Sequence, residues 1–135
     1  MVDHNIRVKN SGVLRALLEH RYHPVLTDIL CWLAETHGLC ITEGFRPKRH
    51  KNDLHGQNPV RAGDLRSWFY KPTEAIQIEK EINERWEYDP KRPAKVVAWI
   101  HESFDENGKS MGVHFHIQVH PRTRRRETET YGEVM

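Results

Sequence analysis

The sequence predicts one α+β domain, with helices packed on one side of a small, mostly antiparallel sheet. Three observations support this fold class. The chain has 135 residues, a length typical of a single domain. Segments with helical hydrophobic spacing are followed by segments with strand-like alternation. An Asp-Glu-Asn-Gly run at 105–108 predicts a tight hairpin between the last two strands. We therefore expect a single domain over residues 1–121, followed by a mobile charged tail over 122–135.

Two helices are predicted before residue 40. Ser11 is positioned to cap a helix over Ser11–His20. Pro24 suits the first turn of a second helix over Pro24–His37, and Gly38 follows as a stop signal. Apolar residues recur at helical spacing in both segments, namely Val13, Leu14, Leu17 and Leu18 in the first and Val25, Leu26, Ile29, Leu30 and Leu33 in the second.

The rest of the chain is predicted to contain a long loop, a third helix and four strands. The loop covers residues 47–59, and a loop of this length without regular structure is usually functional or disordered. Thr73 is the predicted N-cap of the third helix, which reaches about Tyr88. Its buried stripe is Ala75, Ile78, Ile82 and Trp86. The strands are predicted over Leu39–Thr42, Arg61–Trp68, Lys95–His101 and Val113–His120.

The last predicted strand carries two histidines on one face. Side chains alternate along a strand, so His114 and His116 project together, while Phe115, Ile117 and Val119 face the core. Two imidazoles on the polar face of an apolar strand form a candidate ligand pair. For this segment alone, an ordinary solvated strand face remains an equally good interpretation.

A second segment, from His55 to Asp64, adds one imidazole and one carboxylate. Zinc takes His nitrogen and Asp oxygen, and a catalytic zinc keeps three protein ligands plus an open position for water. The small Gly63 would let the backbone approach closely beside Asp64. We therefore predict a zinc site at the sheet formed by His55, Asp64 and His116, with His114 beside it. The alternative is a solvent-exposed loop histidine and an Asp64 paired with a neighbouring arginine.

Three motifs in this order resemble a known family. Gly44-Phe45-Arg46 ends an early strand, Asp53-Leu54-His55 is followed by Ala62-Gly63-Asp64, and His114-Phe115-His116 lies on the last strand. Over roughly Leu39–Val119 the chain resembles the zinc-dependent peptidoglycan peptidases, the group of D-Ala-D-Ala carboxypeptidases and L-alanyl-D-glutamate endopeptidases, in a phage-like form. The resemblance implies that His55, Asp64 and His116 bind the zinc.

The resemblance implies a role for His114, and the chemistry of Arg46 and Asp53 suggests roles for these two residues beside the ligands. His114 would take the proton of the attacking water, since an imidazole with a near-neutral pKa can act as a general base. Arg46 would hold a substrate carboxylate or stabilise the developing oxyanion, although a plain surface arginine is the alternative. Asp53 would orient the ring of His55 from behind the site, or simply cap the loop.

The chain differs from the family pattern at three places. Asp53 stands where the family has serine, and the interval from His55 to Asp64 is two residues longer. The family's glutamate base, in the variant that has one, would fall at Val113. Back-up candidates for the base are Glu102, Asp105 and Glu106. Trp68, Phe69 and Trp99 are candidates for the lining of a cleft, but aromatic residues at such positions more often belong to the core.

The predicted function is hydrolysis of peptide bonds in bacterial cell-wall peptides by a zinc metallopeptidase. Two other classes remain open. A non-catalytic peptidoglycan-binding or virion module could keep the fold and lose turnover. A His-hydrophobic-His nuclease that nicks single strands would need a helical tyrosine facing the metal, and Tyr88 and Tyr131 fit that requirement poorly.

Composition excludes several partners and compartments. The net charge is only +2, which argues against nucleic acid as the partner despite the arginines at 122–126. No apolar run approaches a membrane span, and the first residues lack the apolar core of a signal peptide. We expect a monomer that stays in the cytoplasm as synthesised and reaches the wall through lysis or in a virion. Cys31 and Cys40 are expected to be reduced core thiols.

Overall fold

The fold is α+β, with three helices and a mostly antiparallel mixed sheet in a computed structural model that describes residues 4–104 and 106–126. The helices are α1 (Ser11–Glu19), α2 (Pro24–Thr36) and α3 (Pro72–Arg85). The strands are β1 (Ile6–Val8), β2 (Leu39–Glu43), β3 (Ala62–Arg66), β4 (Trp86–Glu87), β5 (Ala98–Phe104), β6 (Ser110–Gln118) and β7 (Arg124–Arg125). Single 3₁₀ turns occur at Leu54–Gly56 and Ser67–Phe69.

The main sheet has the strand order β1-β2-β3-β6-β5. β1 runs parallel to β2, and every other neighbouring pair is antiparallel. β3 is therefore the middle strand, and β6 lies between β3 and the edge strand β5. The register of β6 places Asp64 opposite His116 on one side and His101 opposite His114 on the other. β4 and β7 form a separate two-stranded ribbon.

The two faces of β6 differ as the sequence predicts. Phe115, Ile117 and Val119 are fully buried in the core. That core includes Leu26, Ile29 and Leu33 of α2 and Ala75, Ile78 and Ile82 of α3. His114 and His116 lie on the opposite face, which lines a cleft. Burial of the apolar face thus fixes which side of the strand presents the imidazoles.

The three predicted helices are present, but the residues at which some of them begin or end differ from the prediction. Asn10, rather than Ser11, caps α1, because its side chain accepts a hydrogen bond from the backbone N–H of Val13. α3 begins at Pro72 after an N-cap at Lys71, so Thr73 is not the cap. α3 also ends three residues before the predicted end, because the chain from Trp86 joins the ribbon. No side chain of α1 is fully buried, and its predicted stripe leaves Leu18 77% exposed.

The strands lie close to their predicted positions, with shifts of up to three residues at the ends. The second predicted strand stops at Arg66, where a 3₁₀ turn begins. The third runs from Ala98 to Phe104, and the fourth from Ser110 to Gln118. Both strands of the hairpin therefore extend three residues further towards the turn than predicted. Three short strands, β1, β4 and β7, were not predicted, because two or three residues carry no readable periodicity.

Residues 122–126, at the start of the predicted mobile tail, are bound to the domain. Arg122 donates two hydrogen bonds to Asp89, and β7 pairs with β4. The rest of that tail, 127–135, lies outside the described residues. Of the two unpaired cysteines, Cys40 is buried as predicted, whereas Cys31 is exposed. Within the described ranges, no helix is long and apolar enough to cross a membrane.

Candidate metal centre

Three side chains from separate segments converge at the middle of the sheet. One nitrogen or oxygen atom from each of His55, Asp64 and His116 lies within 4.8 Å of the others. His116 Nδ1 is 2.7 Å from Asp64 Oδ1, and His55 Nε2 is 3.5 Å from Asp64 Oδ2. The pairing of Asp64 with His116 across β3 and β6 accounts for the first contact. The 3₁₀ turn at Leu54–Gly56 brings His55 to the second.

The ring of His55 is held by a backbone carbonyl. Its Nδ1 lies 2.7 Å from the oxygen of Gly44, deep in the protein. A carbonyl oxygen can only accept a hydrogen bond, so Nδ1 must carry the ring proton of the neutral imidazole. Nε2 is then left with a free lone pair directed at Asp64. Fixing the tautomer of a ligand through its second nitrogen is the usual arrangement around a protein-bound metal.

Gly44 must be glycine for this contact to form. A Cβ at this position would lie 2.5 Å from the hydroxyl of Tyr22. That hydroxyl is fixed in place, because it accepts a hydrogen bond from the N–H of Phe45 and donates one to the oxygen of Ala16. Gly63, by contrast, is not forced by crowding. A Cβ there would meet only the oxygen of Glu43, at 3.8 Å, so the close approach predicted at Gly63 is absent.

Asp53 supports the backbone of His55 rather than its ring. Its carboxylate accepts hydrogen bonds from the backbone N–H groups of Arg49 and His55, at 3.0 and 3.1 Å. It therefore caps the 3₁₀ turn, the second of its two predicted roles. Burial alone would raise the pKa of Asp53, but these hydrogen bonds and the charge of Arg46 outweigh burial and lower it.

Arg46 lies in the cleft wall and is already paired with two carboxylates. Its Nη1 donates to Glu43 at 2.8 Å, and its Nη2 contacts both oxygens of Asp53 at 3.3 and 3.4 Å. Its Nε is buried and has no hydrogen-bond partner among the described residues. Arg46 thus ties the end of β2 to the turn that carries His55.

The three converging groups have the chemistry and spacing of a metal site. Around a tetrahedral ion with ligands at about 2.1 Å, neighbouring ligand atoms lie about 3.4 Å apart. The separation of 3.5 Å between His55 Nε2 and Asp64 Oδ2 matches this spacing, whereas the 2.7 Å between His116 Nδ1 and Asp64 Oδ1 is a hydrogen-bond distance that would lengthen around an ion. Burial alone would raise the pKa of Asp64, but the hydrogen bond with His116 acts in the opposite direction, and the pKa lies well below its usual value. The carboxylate is therefore ionised, as a ligand must be.

The metal centre opens into a cleft of about 910 Å³. His114 lines it, and so does His101, which the sequence analysis did not identify. The ring of His101 lies 5.9 Å from that of His114 and 6.0 Å from that of His116, between ring centres. Trp99 also lines the cleft, 4.5 Å from the ring of His116. The hairpin register could have pointed to His101, since it is the residue directly opposite His114.

The other candidates lie away from the metal centre. Glu102 and Glu106 are exposed and do not line the cleft, and Asp105 lies outside the described residues. Trp68 is 74% exposed, whereas Phe69 packs against the core.

Tyr88, the one tyrosine of the nuclease hypothesis that the structure describes, does not offer a helical nucleophile. Tyr88 lines the cleft but is only 6% exposed, and it follows β4 rather than lying on a helix. Tyr131 lies outside the described residues. The structure therefore contains no described tyrosine in the position that this hypothesis requires.

Comparisons with family models, with curated proteins and with solved structures give no match for this chain.

Proposed function

We propose that the protein is a zinc-dependent peptidase that hydrolyses peptide bonds of bacterial cell-wall peptides. The observation that carries the proposal is the group of His55, Asp64 and His116 at a cleft, with the ring of His55 locked in the tautomer that a metal needs. Two imidazoles and one carboxylate form a donor set that suits zinc. When bound, zinc acts as a Lewis acid and lowers the pKa of water to near neutrality.

His114 is the proposed general base. It lies two residues before His116 on the same face of β6 and lines the cleft, but it does not belong to the ligand group. Its ring nitrogen can take a proton from water and later return it to the leaving amine. His101 is the neighbouring imidazole across the hairpin and is the alternative proton acceptor.

Arg46 is proposed to position the site rather than to contact substrate. Both of its terminal nitrogens already bind carboxylates, so a substrate carboxylate would have to displace Glu43 or Asp53. By holding Asp53, Arg46 stabilises the turn that presents His55. This revises the role that the chemistry of Arg46 alone suggests.

The substrate class rests on the three sequence motifs and on the form of the cleft. A cleft of about 910 Å³ is large enough for several residues of an extended peptide. The motifs resemble those of enzymes that act on wall peptides with D-residues. A phage lysis protein or a virion component is the biological setting that we propose on the same grounds.

The first experiment compares wild type with three histidine variants on wall peptides. His114→Ala should keep about one zinc per chain but lose hydrolysis by a factor of about 10² to 10⁴, the usual contribution of a general base. His101→Ala tests the alternative base. His50→Ala, which removes an exposed imidazole of the cleft wall, is the control and should remain active.

Three outcomes of this experiment would change the proposal. Full activity of His114→Ala with loss in His101→Ala would assign the base to His101. Zinc binding without turnover on any wall fragment would favour a binding module over an enzyme. A wild-type protein that binds no metal would contradict the metallopeptidase altogether.

A further inference from the structure

The cleft has two ends that differ in charge. At the metal end carboxylates outnumber guanidinium groups, because Arg46 and Arg49 already face the carboxylates of Glu43 and Asp53. Asp64 lies at the same end and contacts the two ligand histidines. Glu43, Asp53 and Asp64 are the carboxylates that line the described part of the cleft. Its other end therefore has no carboxylate in its wall.

The far end is positively charged and structurally fixed. Its wall includes Tyr88, Arg92 and His120. Behind them, the buried carboxylate of Asp89 is held by Arg122 at 2.9 and 2.7 Å and by Arg92 Nε at 3.0 Å. One carboxylate thus lies between two guanidinium groups, which leaves a net positive charge. Arg92 also lies over the ring of Tyr88, so its position is restricted on two sides.

Two further cations at this end have no partner among the residues that the structure describes. Arg61 and Lys95 line the cleft, and neither side chain forms a hydrogen bond or ion pair with any residue in the described ranges. The positive charge at this end of the cleft affects the pKa of the neighbouring His120. Burial lowers its pKa, and the charges of Arg122, Arg92 and Arg61 lower the pKa further, against the opposing effect of Asp89.

The strand register gives the distance between the two ends. Ala62 pairs with Gln118 and Asp64 pairs with His116, while Arg61 accepts a hydrogen bond from the N–H of Val119. The backbone of Arg61 is thus three residues from Asp64, which corresponds to about 10 Å along the sheet. Because Arg61 precedes the first residue of β3, its side chain does not follow the alternation of that strand, and it lines the same cleft as Asp64. Three residues of an extended peptide span the same distance. A peptide lying in the cleft with one bond at the metal would reach the far end about three residues away.

We propose that Arg61, Lys95 and Arg92 form a subsite that binds a carboxylate of the peptide substrate, about three residues from the bond at the metal. This inference rests on the proposed function, and it names the feature by which the cleft selects its peptide. Arg61 and Lys95, which have no hydrogen-bond or ion-pair partner among the described residues, are suited to a carboxylate, and Arg binds carboxylates through two parallel N–H groups. Arg92, whose Nε already donates to Asp89, adds positive charge beside them. His120 also lines this end of the cleft but is not one of the residues proposed to bind the carboxylate.

The test compares two peptides and two charge-matched variants of the zinc-loaded protein. The peptides are L-Ala-γ-D-Glu-L-Lys-D-Ala-D-Ala and the same peptide with the free carboxylate of its glutamate amidated. Arg61→Gln/Lys95→Gln removes the two unpaired cations. Arg7→Gln/Lys80→Gln is the control, because it removes the same charge from exposed residues outside the cleft. Equilibrium binding is measured by titration calorimetry, and KM and kcat are measured wherever a peptide is cleaved.

Wild type and the control should bind the carboxylate peptide about tenfold more tightly than the amidated one, a typical effect for a hydrogen bond to a charged group. The subsite variant should lose that preference, with a raised KM and an unchanged kcat. Equal binding of both peptides by wild type, or a preference retained in the subsite variant, would overturn the subsite.

Two additional results separate the subsite from the proposed peptidase function and from a site for a free anion. Absence of cleavage would count against the proposed function, while the binding preference would still decide the subsite. Inorganic phosphate serves as the competing anion. If the subsite binds the peptide carboxylate, phosphate should displace the carboxylate peptide. If phosphate binds but the protein binds both peptides equally, the ligand of the subsite is a free anion rather than a peptide carboxylate.

Discussion

At the scale of single residues, the candidate metal centre depends on a backbone carbonyl and a hydroxyl that are not themselves candidate ligands. The carbonyl of Gly44 fixes the ring of His55, and the hydroxyl of Tyr22 occupies the space where a side chain at residue 44 would lie. The sequence predicts the ligands because their types are distinctive. It does not predict the carbonyl, because every residue has one and only the folded chain selects which of them approaches the ring.

Gly44→Ala should weaken zinc binding by a factor of about 10 to 100, the usual cost of disturbing a group that orients a ligand. The added methyl group would lie 2.5 Å from the Tyr22 hydroxyl, so that either the tyrosine or the carbonyl that holds His55 must move. Zinc affinity is measured by competition with a chelating dye.

Gly63→Ala is the matched control for Gly44→Ala. It adds the same methyl group next to a ligand, but in ordinary contact with the oxygen of Glu43 at 3.8 Å. Its zinc affinity should stay close to that of wild type. Equal loss of affinity in both variants would show that crowding at residue 44 is not the reason for its glycine.

At the scale of secondary-structure elements, periodicity predicted the long segments and missed the short ones. The apolar stripes of α2 and α3 are buried as the spacing indicates, with Leu26, Ile29 and Leu33 in the first. β7 could not be predicted from its own residues. It forms because Trp86 and Glu87 pair with Arg125 and Arg124, and Arg122 is bound to Asp89 just before it.

Asp89→Asn should destabilise the protein at neutral pH by detaching the segment around Arg122. The hydrogen bonds from Arg122 lower the pKa of Asp89 far below its usual value. A carboxylate with a lowered pKa stabilises the fold above the unfolded-state pKa of about 4, and that stabilisation is lost as the pH falls further. The melting temperatures of wild type and variant should therefore differ at pH 7 and converge as the pH falls below about 4.

Glu19→Gln provides the control for the Asp89 experiment. It removes an ion pair with Arg15 whose side chains are 54% and 75% exposed, and such surface pairs contribute little to stability. Its melting temperature should match that of wild type at both pH values. A similar loss in Glu19→Gln and Asp89→Asn would show that general surface charge, rather than the Asp89–Arg122 contact, sets the pH dependence.

At the scale of the whole molecule, the sheet topology makes the site. His116 is 52 residues from Asp64 in sequence, and the antiparallel pairing of β3 with β6 brings the two together. The sequence indicated this pairing only indirectly, through segments that had to bury one face. It could not indicate the charge separation along the cleft, since Arg61, Arg92 and Lys95 come from segments without a shared pattern.

The proposed peptidase requires that His55, Asp64 and His116 bind one zinc ion together. An anomalous difference map at the zinc absorption edge, from crystals of the protein grown with zinc, would show which side chains contact the ion. We expect one strong peak at about 2.0–2.2 Å from His55 Nε2, His116 Nδ1 and a carboxylate oxygen of Asp64. A map without a peak there, or with zinc held by other side chains, would contradict the account.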